Sequence, residues 1–224
     1  MQPVIPVDTS VMPRPIATLT PLVYIVDDDA SVRESIKSLI EEAGWRPEAY
    51  SSAKEFLNRP RRQRPSCLIL DVALPDLNGL EVQQRLSDVQ AEIPIIFVTG
   101  RGDIPTSVKA MKAGAAEFLT KPFEPDELVC AIENAVERSR ASLEAKSAVK
   151  VLRDRHQTLT PREREVMALV LTGRLNKQIG ADLGIKEITV KAHRSHMMRK
   201  MKVRSLPELI GIGARLGLDT VKKS

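Results

Sequence analysis

From Leu22 onward the apolar positions fall into two alternating rhythms. Leu22–Val26, Cys67–Leu70 and Ile93–Val98 are short runs dense in Val, Ile and Leu, the pattern of strands buried on both faces. Between them, Ser31–Ala43, Ser52–Asn58, Gly79–Asp88 and Pro105–Ala113 repeat apolar residues at helical spacing. Ser31 with Glu34, and Ser52 with Glu55, have the spacing of capping boxes. Gly44 stands where a left-handed residue ends a helix. A short strand, Glu117–Leu119, precedes a helix from Pro125. Such alternation, repeated about five times, predicts a doubly wound parallel sheet.

From Asp126 the helical pattern runs on towards Arg155 without Gly or Pro, which predicts a long linker helix. Val129, Ile132, Val136 and Leu143 approximate a heptad seam that Ser139 and Lys146 interrupt, enough for a short dimer contact but not a sustained coiled coil. A second domain starts near Leu159. Thr160-Pro161-Arg162-Glu163 combines a capping threonine, a proline at the first helical position and a glutamate three residues after the cap. That helix runs to Thr172-Gly173. Asn176 is expected to cap a short helix to Leu183, Gly184-Ile185 to turn, and longer helices to follow over Glu187–Met201 and Pro207–Leu216. The expected organisation is an N-terminal extension (1–20), an α/β domain (21–140), a helical linker (141–157) and a small all-α domain (158–224).

Charge separates the two domains. Residues 158–224 hold 14 Lys/Arg against 6 Asp/Glu, a net of +8, whereas residues 1–157 hold 20 against 23, a net of −3. Basic charge concentrated at the C-terminal end points to a polyanion partner there, with a merely solvated basic face as the alternative. Cys67 and Cys130 are too few and too far apart for a disulfide framework or a zinc site, and are expected to be reduced, buried thiols. No run reaches the roughly 18 apolar residues of a membrane helix. The proline-rich start (Pro3, Pro6, Pro13, Pro15, Pro21) reads as a flexible extension rather than a signal peptide, so a cytoplasmic protein without a membrane partner is expected.

In a doubly wound sheet, function gathers at the carboxyl ends of the strands. Asp27-Asp28-Asp29 follow the first strand, Asp71 the third, Thr99-Gly100 the fourth, and Thr120-Lys121-Pro122 the fifth. Carboxylates held together raise one another's pKa or recruit a cation. Hard oxygen ligands suit Mg²⁺ (or Mn²⁺), Lys121 suits a phosphoryl oxygen, and Thr99 adds a hydroxyl donor. The set suits a phosphoryl group carried on Asp71 as carboxylate nucleophile. For any one aspartate, helix capping or turn formation is the plainer explanation. A nucleotide site is disfavoured because no glycine-rich turn follows the first strand, and an aspartyl hydrolase because Ala73 stands two residues after Asp71.

Val26-Asp27-Asp28, the Leu70–Asp76 stretch with Gly79, Val98-Thr99-Gly100 and Lys121-Pro122-Phe123 together resemble a response-regulator receiver domain over roughly residues 20–140. The resemblance implies a flavodoxin-like (βα)5 fold with Asp71 as phosphoacceptor. Asp28, Asp71 and the Ala73 backbone carbonyl would bind Mg²⁺, with Asp27 acting through water. Thr99 and Lys121 would read the phosphoryl group, the Lys121-Pro122 bond would be cis, and Phe118 would be the switch aromatic, its alternative being an ordinary core phenylalanine. Such a protein is not an enzyme beyond Mg-dependent self-phosphotransfer and slow autodephosphorylation.

Leu159–Val166, Asn176–Gly180 and Thr189–His193 resemble the LuxR-type helix-turn-helix of NarL/FixJ-class regulators, nearest the FixJ-like branch. A helix over Glu187–Met201, about 22 Å long, fits the major groove. The resemblance implies that Lys191, Ala192 and Ser195 face the bases and that Lys177, Thr189, Arg199 and Lys200 meet backbone phosphate, with Arg194 a further basic candidate. Family members often place Ser before this helix where this chain has Lys186; that substitution forfeits a cap and suggests a phosphate contact instead. His193 and His196 lack acidic or Cys partners nearby and read as packing or DNA-contact residues, and Met197, Met198 and Met201 as core.

The function implied is transcription control by phosphorylation from a sensor histidine kinase. Double-stranded DNA, a second copy of the chain in the phosphorylated state, and RNA polymerase are the further partners. A phosphate sink with another C-terminal purpose, and a DNA-binding protein with a silent receiver, are the alternatives. The latter sits poorly with an acidic set kept together with Thr99 and Lys121.

Overall fold

A computed structural model describes residues 19–60, 62–89, 92–100 and 104–218. The expected N-terminal extension lies almost wholly outside them. The chain divides into two compact units between Glu144 and Ala145.

In the first unit, β1 (Leu22–Val26), β2 (Arg46–Tyr50), β3 (Ser66–Asp71), β4 (Ile95–Thr99) and β5 (Glu117–Thr120) form a parallel sheet of order β2-β1-β3-β4-β5. Helices α1 (Ala30–Glu42), α2 (Ala53–Leu57), α3 (Gly79–Asp88) and α4 (Ile104–Lys112) alternate with the strands, and α5 (Pro125–Gln157) follows the last. β1, β3 and β4 are buried along their whole length, as uniformly apolar runs require. β2 escapes the apolar pattern. It reads Arg-Pro-Glu-Ala-Tyr and is only partly buried, because it forms the sheet edge, where proline and charge are tolerated.

Strand pleating divides the core into two layers. Tyr24, Phe56, Leu68, Leu70, Val82 and Phe97 pack on one face; Ile25, Ile40, Ile69, Ile96, Leu128 and Ile132 pack on the other. Ile132 and Val136 of the expected heptad seam belong to the second layer. They are buried against the sheet within one chain, so α5 does not offer them as a dimer seam.

Local signals resolve unevenly. Ser31–Glu34 is not a capping box: Asp29 is the N-cap of α1, and its carboxylate accepts from the Ser31 and Val32 amides. Ser52 caps α2, while Glu55 reaches back to the Ser51 amide. Gly44 takes φ +82 as expected. Cys67 is buried, but Cys130 is exposed, which corrects the expectation of two buried thiols. Burial pushes the Cys67 thiol up to about 12.

In the second unit, α6 (Pro161–Leu171), α7 (Asn176–Leu183), α8 (Glu187–Met201) and α9 (Leu206–Arg215) surround a core of Val166, Met167, Val170, Ile179, Val190, Met197, Met201 and Leu209. Thr160 and Glu163 form the expected reciprocal capping box. Asn176 is the first residue of α7 rather than its cap; Leu175 precedes the helix, and its amide donates to Gln178 Oε1 (2.8 Å). Gly184, at φ +65, makes the left-handed turn between α7 and α8.

Candidate functional site

The sheet order reverses between β1 and β3, and the carboxyl ends of these neighbours carry the acidic residues. Carboxylate oxygens of Asp27, Asp28 and Asp71 lie within 4.8 Å of one another, with Asp27 and Asp71 buried and Asp28 exposed. The third member of the acidic run, Asp29, turns away to cap α1. Hydrogen bonds from Val32 and Ser31 hold its carboxyl below the usual range.

Lys121 is the counter-charge. Its Nζ lies 2.5 Å from Asp27 Oδ2 and 3.8 Å from Asp71 Oδ1. Its amide donates to the Thr99 carbonyl (2.8 Å), which ties the end of β5 to the end of β4, and the Lys121-Pro122 bond is cis. Burial raises the pKa of Asp71; Lys121 opposes this shift, and Asp27 and Asp28 add to it. One lysine therefore under-compensates three carboxylates, and three hard oxygen donors fit a divalent cation.

The loop after β3 is held from two sides. Gly79 donates from its amide to the Val72 carbonyl (3.0 Å), and a Cβ there would lie 2.8 Å from the Asp71 carbonyl oxygen and 3.0 Å from Val72 Cα. Glycine is thus required sterically, at ordinary φ. Asp76 accepts from the Ala53 and Lys54 amides (3.2 and 2.9 Å), so it caps α2 from across the loop. Some desolvation opposes ionisation of Asp76, but the Lys54 and Ala53 amide bonds outweigh it and lower its pKa.

Phe97 and Phe118 are register partners on β4 and β5, their ring centroids 6.2 Å apart. Thr99 and Phe118 share a sheet face by strand alternation. Thr99 is fully buried and Phe118 half-buried against the first core layer.

In the second unit, Ile188, Lys191, Ala192, Ser195 and Arg199 are all exposed and fall at i, i+3, i+4, i+7 and i+11 along α8. That spacing makes one face. Val190, Met197 and Met201 are buried on the opposite one, and Met198 is half-buried. Lys177 and Lys186 are exposed, and Thr189 half-exposed. Lys186 occupies the N-cap of α8 without a side-chain cap bond. Three candidates are engaged within the domain; one of them, Lys191, pairs with Glu187 at 3.0 Å. Lys200 Nζ binds the buried Glu163 carboxylate at 2.6 Å, and Arg194 Nη1 donates to Asn176 Oδ1 (3.2 Å). Burial works against ionisation of Glu163, but the Lys200 and Thr160 hydrogen bonds prevail and lower its pKa.

Residues 23–133 match the response regulator receiver domain, and residues 157–212 match the luxR family of bacterial regulatory proteins. Nodulation protein W of Bradyrhizobium diazoefficiens is 47% identical over 203 residues, 91% of this chain and 89% of that protein. The transcriptional regulatory protein FixJ of Rhizobium meliloti is 41% identical over 188 residues, 84% of this chain and 92% of that protein. The solved structure of the response regulator StyR superposes with a TM-score of 0.79 at 42% identity, over 88% of this chain and 100% of that one. The chain is a response regulator.

It joins a receiver to a LuxR-type helix-turn-helix, and its work is phosphorylation-dependent regulation of transcription rather than classical enzyme catalysis. A receiver implies a histidine kinase as phosphate source, and the helix-turn-helix implies DNA. Among the described residues no helix is long and apolar enough to cross a membrane. The role of Asp76 as a distant cap escaped sequence reasoning because its partners stand more than twenty residues away. The same holds for Gln83, whose buried amide donates to the Ala110 carbonyl (3.2 Å) and links α3 to α4.

Proposed function

We propose that Asp71 is the phosphoacceptor, and that its phosphorylation by a sensor histidine kinase controls dimerisation and sequence-specific binding to double-stranded DNA. The observation that carries this reading is the buried Asp71 carboxylate at the end of β3, flanked by Asp27 and Asp28 and faced by Lys121. An Asp71 carboxylate oxygen attacks phosphorus, the bond from phosphorus to the kinase imidazole nitrogen breaks, and an acyl phosphate forms. A small phosphodonor would support the same transfer, and water would slowly reverse it. Asp27, Asp28, Asp71 and the Ala73 carbonyl would hold Mg²⁺ or Mn²⁺. When bound, the ion supplies the positive charge that lets an anionic phosphoryl group approach an anionic site.

Lys121, now on Asp27 and 3.8 Å from Asp71 Oδ1, turns to a phosphoryl oxygen. The Thr99 hydroxyl is drawn in to donate to the same group, and Phe118 fills the space it vacates, which biases the packing of β5 and α4. On α4, Ile104, Val108 and Met111 are 80%, 44% and 44% exposed at i, i+4 and i+7, an apolar stripe suited to a second copy of the receiver.

In the DNA-binding domain, Lys191, Ala192 and Ser195 face base edges, and Lys177, Lys186, Thr189 and Arg199 meet phosphates. Arg194 and Lys200, further candidates for the DNA, are paired with Asn176 and Glu163 in the free protein. RNA polymerase at the regulated promoter is the remaining partner. With DNA and a kinase as partners, the cytoplasm is its place of action.

Gel-shift titration of the full chain against selected duplexes, with and without beryllium fluoride and Mg²⁺, tests the reading. The phosphoryl mimic should tighten binding about tenfold or more, and Asp71→Asn should remove the response. An affinity indifferent to the mimic in both proteins overturns it.

A further inference from the structure

The exposed face of α8 contains a residue that neither packing nor charge accounts for. Ile188 is 70% exposed in the first turn of the helix, whereas Val190, Met197 and Met201 fill the core. A β-branched residue on a solvated helix turn contributes nothing to helix stability, because its χ1 freedom is restricted there. Its surroundings are cationic: Lys186 precedes the helix, and Lys191 and Arg199 share the exposed face, with Glu187 paired to Lys191 at 3.0 Å. A large apolar group framed by exposed cations suits a partner that offers negative charge at its edges and a hydrophobic spot between them.

In the major groove that hydrophobic spot is the thymine C5-methyl, the one apolar group presented on a base edge. Ile188 and Ala192 stand one turn apart on the same face and together present a methyl-lined strip beside Lys191 and Ser195. We infer that Ile188 is a specificity-determining residue, making apolar contact with a thymine methyl in each half-site. The inference rests on the DNA-binding reading and adds to it the class of base read. Ser195 and Lys191 offer hydrogen bonds, so purely apolar reading is left to Ile188 and Ala192.

The test begins with duplexes selected from a random pool by the full-length protein loaded with beryllium fluoride. Each thymine of a selected duplex is then replaced by deoxyuridine, which removes only the methyl group. At one thymine per half-site, wild-type affinity should fall about fourfold, the effect of one buried methyl-sized group. Ile188→Ala should bind the thymine and deoxyuridine duplexes within twofold of one another, while its salt dependence stays that of wild type because no phosphate contact is lost. Ile188→Thr, which keeps one methyl group, should retain part of the discrimination. Circular dichroism of each variant checks the fold, which an exposed side chain should leave unchanged.

If Ile188→Ala leaves every deoxyuridine effect at its wild-type size, or weakens selected and random duplexes equally, the inference is overturned while DNA binding stands. Should the wild type select no duplex at all, both the inference and the DNA-binding reading fail.

Discussion

The two units of this protein handle charge in opposite ways. The receiver gathers Asp27, Asp28 and Asp71 within 4.8 Å, buries two of them, and counters them with Lys121. The DNA-binding unit leaves Lys177, Lys186, Lys191 and Arg199 in solvent, where water and salt screen them, and buries the Glu163 carboxylate under Lys200. The first arrangement is under-compensated, so it responds strongly to one more charge. The second gains little from any one small ion but much from a long polyanion, whose binding releases the counterions. The comparison teaches that a sensor concentrates unfavourable charge where a reader disperses favourable charge.

The sharpest way to break the comparison is at Asp71. Asp71→Asn keeps size and fold but removes the nucleophile, so labelling by acetyl phosphate, followed by intact-protein mass spectrometry, should fall to zero. Full labelling of the variant would mean another residue carries the phosphoryl group.

Next in size is the steric hold on the β3 loop. Gly79→Ala places a carbon against the Asp71 carbonyl and Val72, and should cost about 2–3 kcal/mol of receiver stability in urea unfolding, with slower labelling. A stability within 0.5 kcal/mol of wild type would show that the backbone yields easily there.

A smaller effect is expected at the buried pair of the second unit. Glu163→Gln should cost about 1–2 kcal/mol, as a charged hydrogen bond to the half-exposed Lys200 is lost. The pH dependence has a definite sign. Glu163 is more acidic in the folded protein than unfolded, so its contribution is complete above the unfolded value of about 4.5 and disappears as pH falls through the folded value. Acid unfolding of this unit should therefore lose part of its steepness in Glu163→Gln, and equal acid profiles would remove the pair from the account.

The smallest change is at the entrance of α8. Lys186→Ser should raise stability by about 0.5–1 kcal/mol, by supplying the missing cap, while lowering DNA affinity and the salt slope by about one phosphate contact. An unchanged salt slope means that Lys186 touches no phosphate.

Much of the fold was legible because the buried strands leave no choice of pattern. Val23, Ile25, Ile69, Ile96 and Val98 are apolar because both sheet faces are covered. β2 was not delimited, since Arg46-Pro47-Glu48 at an edge obeys no such rule. The acidic set was readable because strand ends in a parallel sheet converge, so residues far apart in sequence acquire a common address. Capping at α1 was misread: Ser31 and Asp29 both offer side-chain oxygens, and only the backbone path decides which meets the free amides.

The sequence by itself determined the alternation of strand and helix, the carboxylates awaiting a counter-charge and the basic final helices, because each is written in residue type and short-range spacing. Tertiary structure decided the rest. It paired Lys200 with Glu163, folded Ile132 and Val136 of the α5 seam into the receiver core, set Asp76 on the start of α2, and left Ile188 exposed while Val190 went inside. Each of these depends on which surfaces are covered by distant segments, and burial of that kind is a property of the packed chain rather than of any stretch of it.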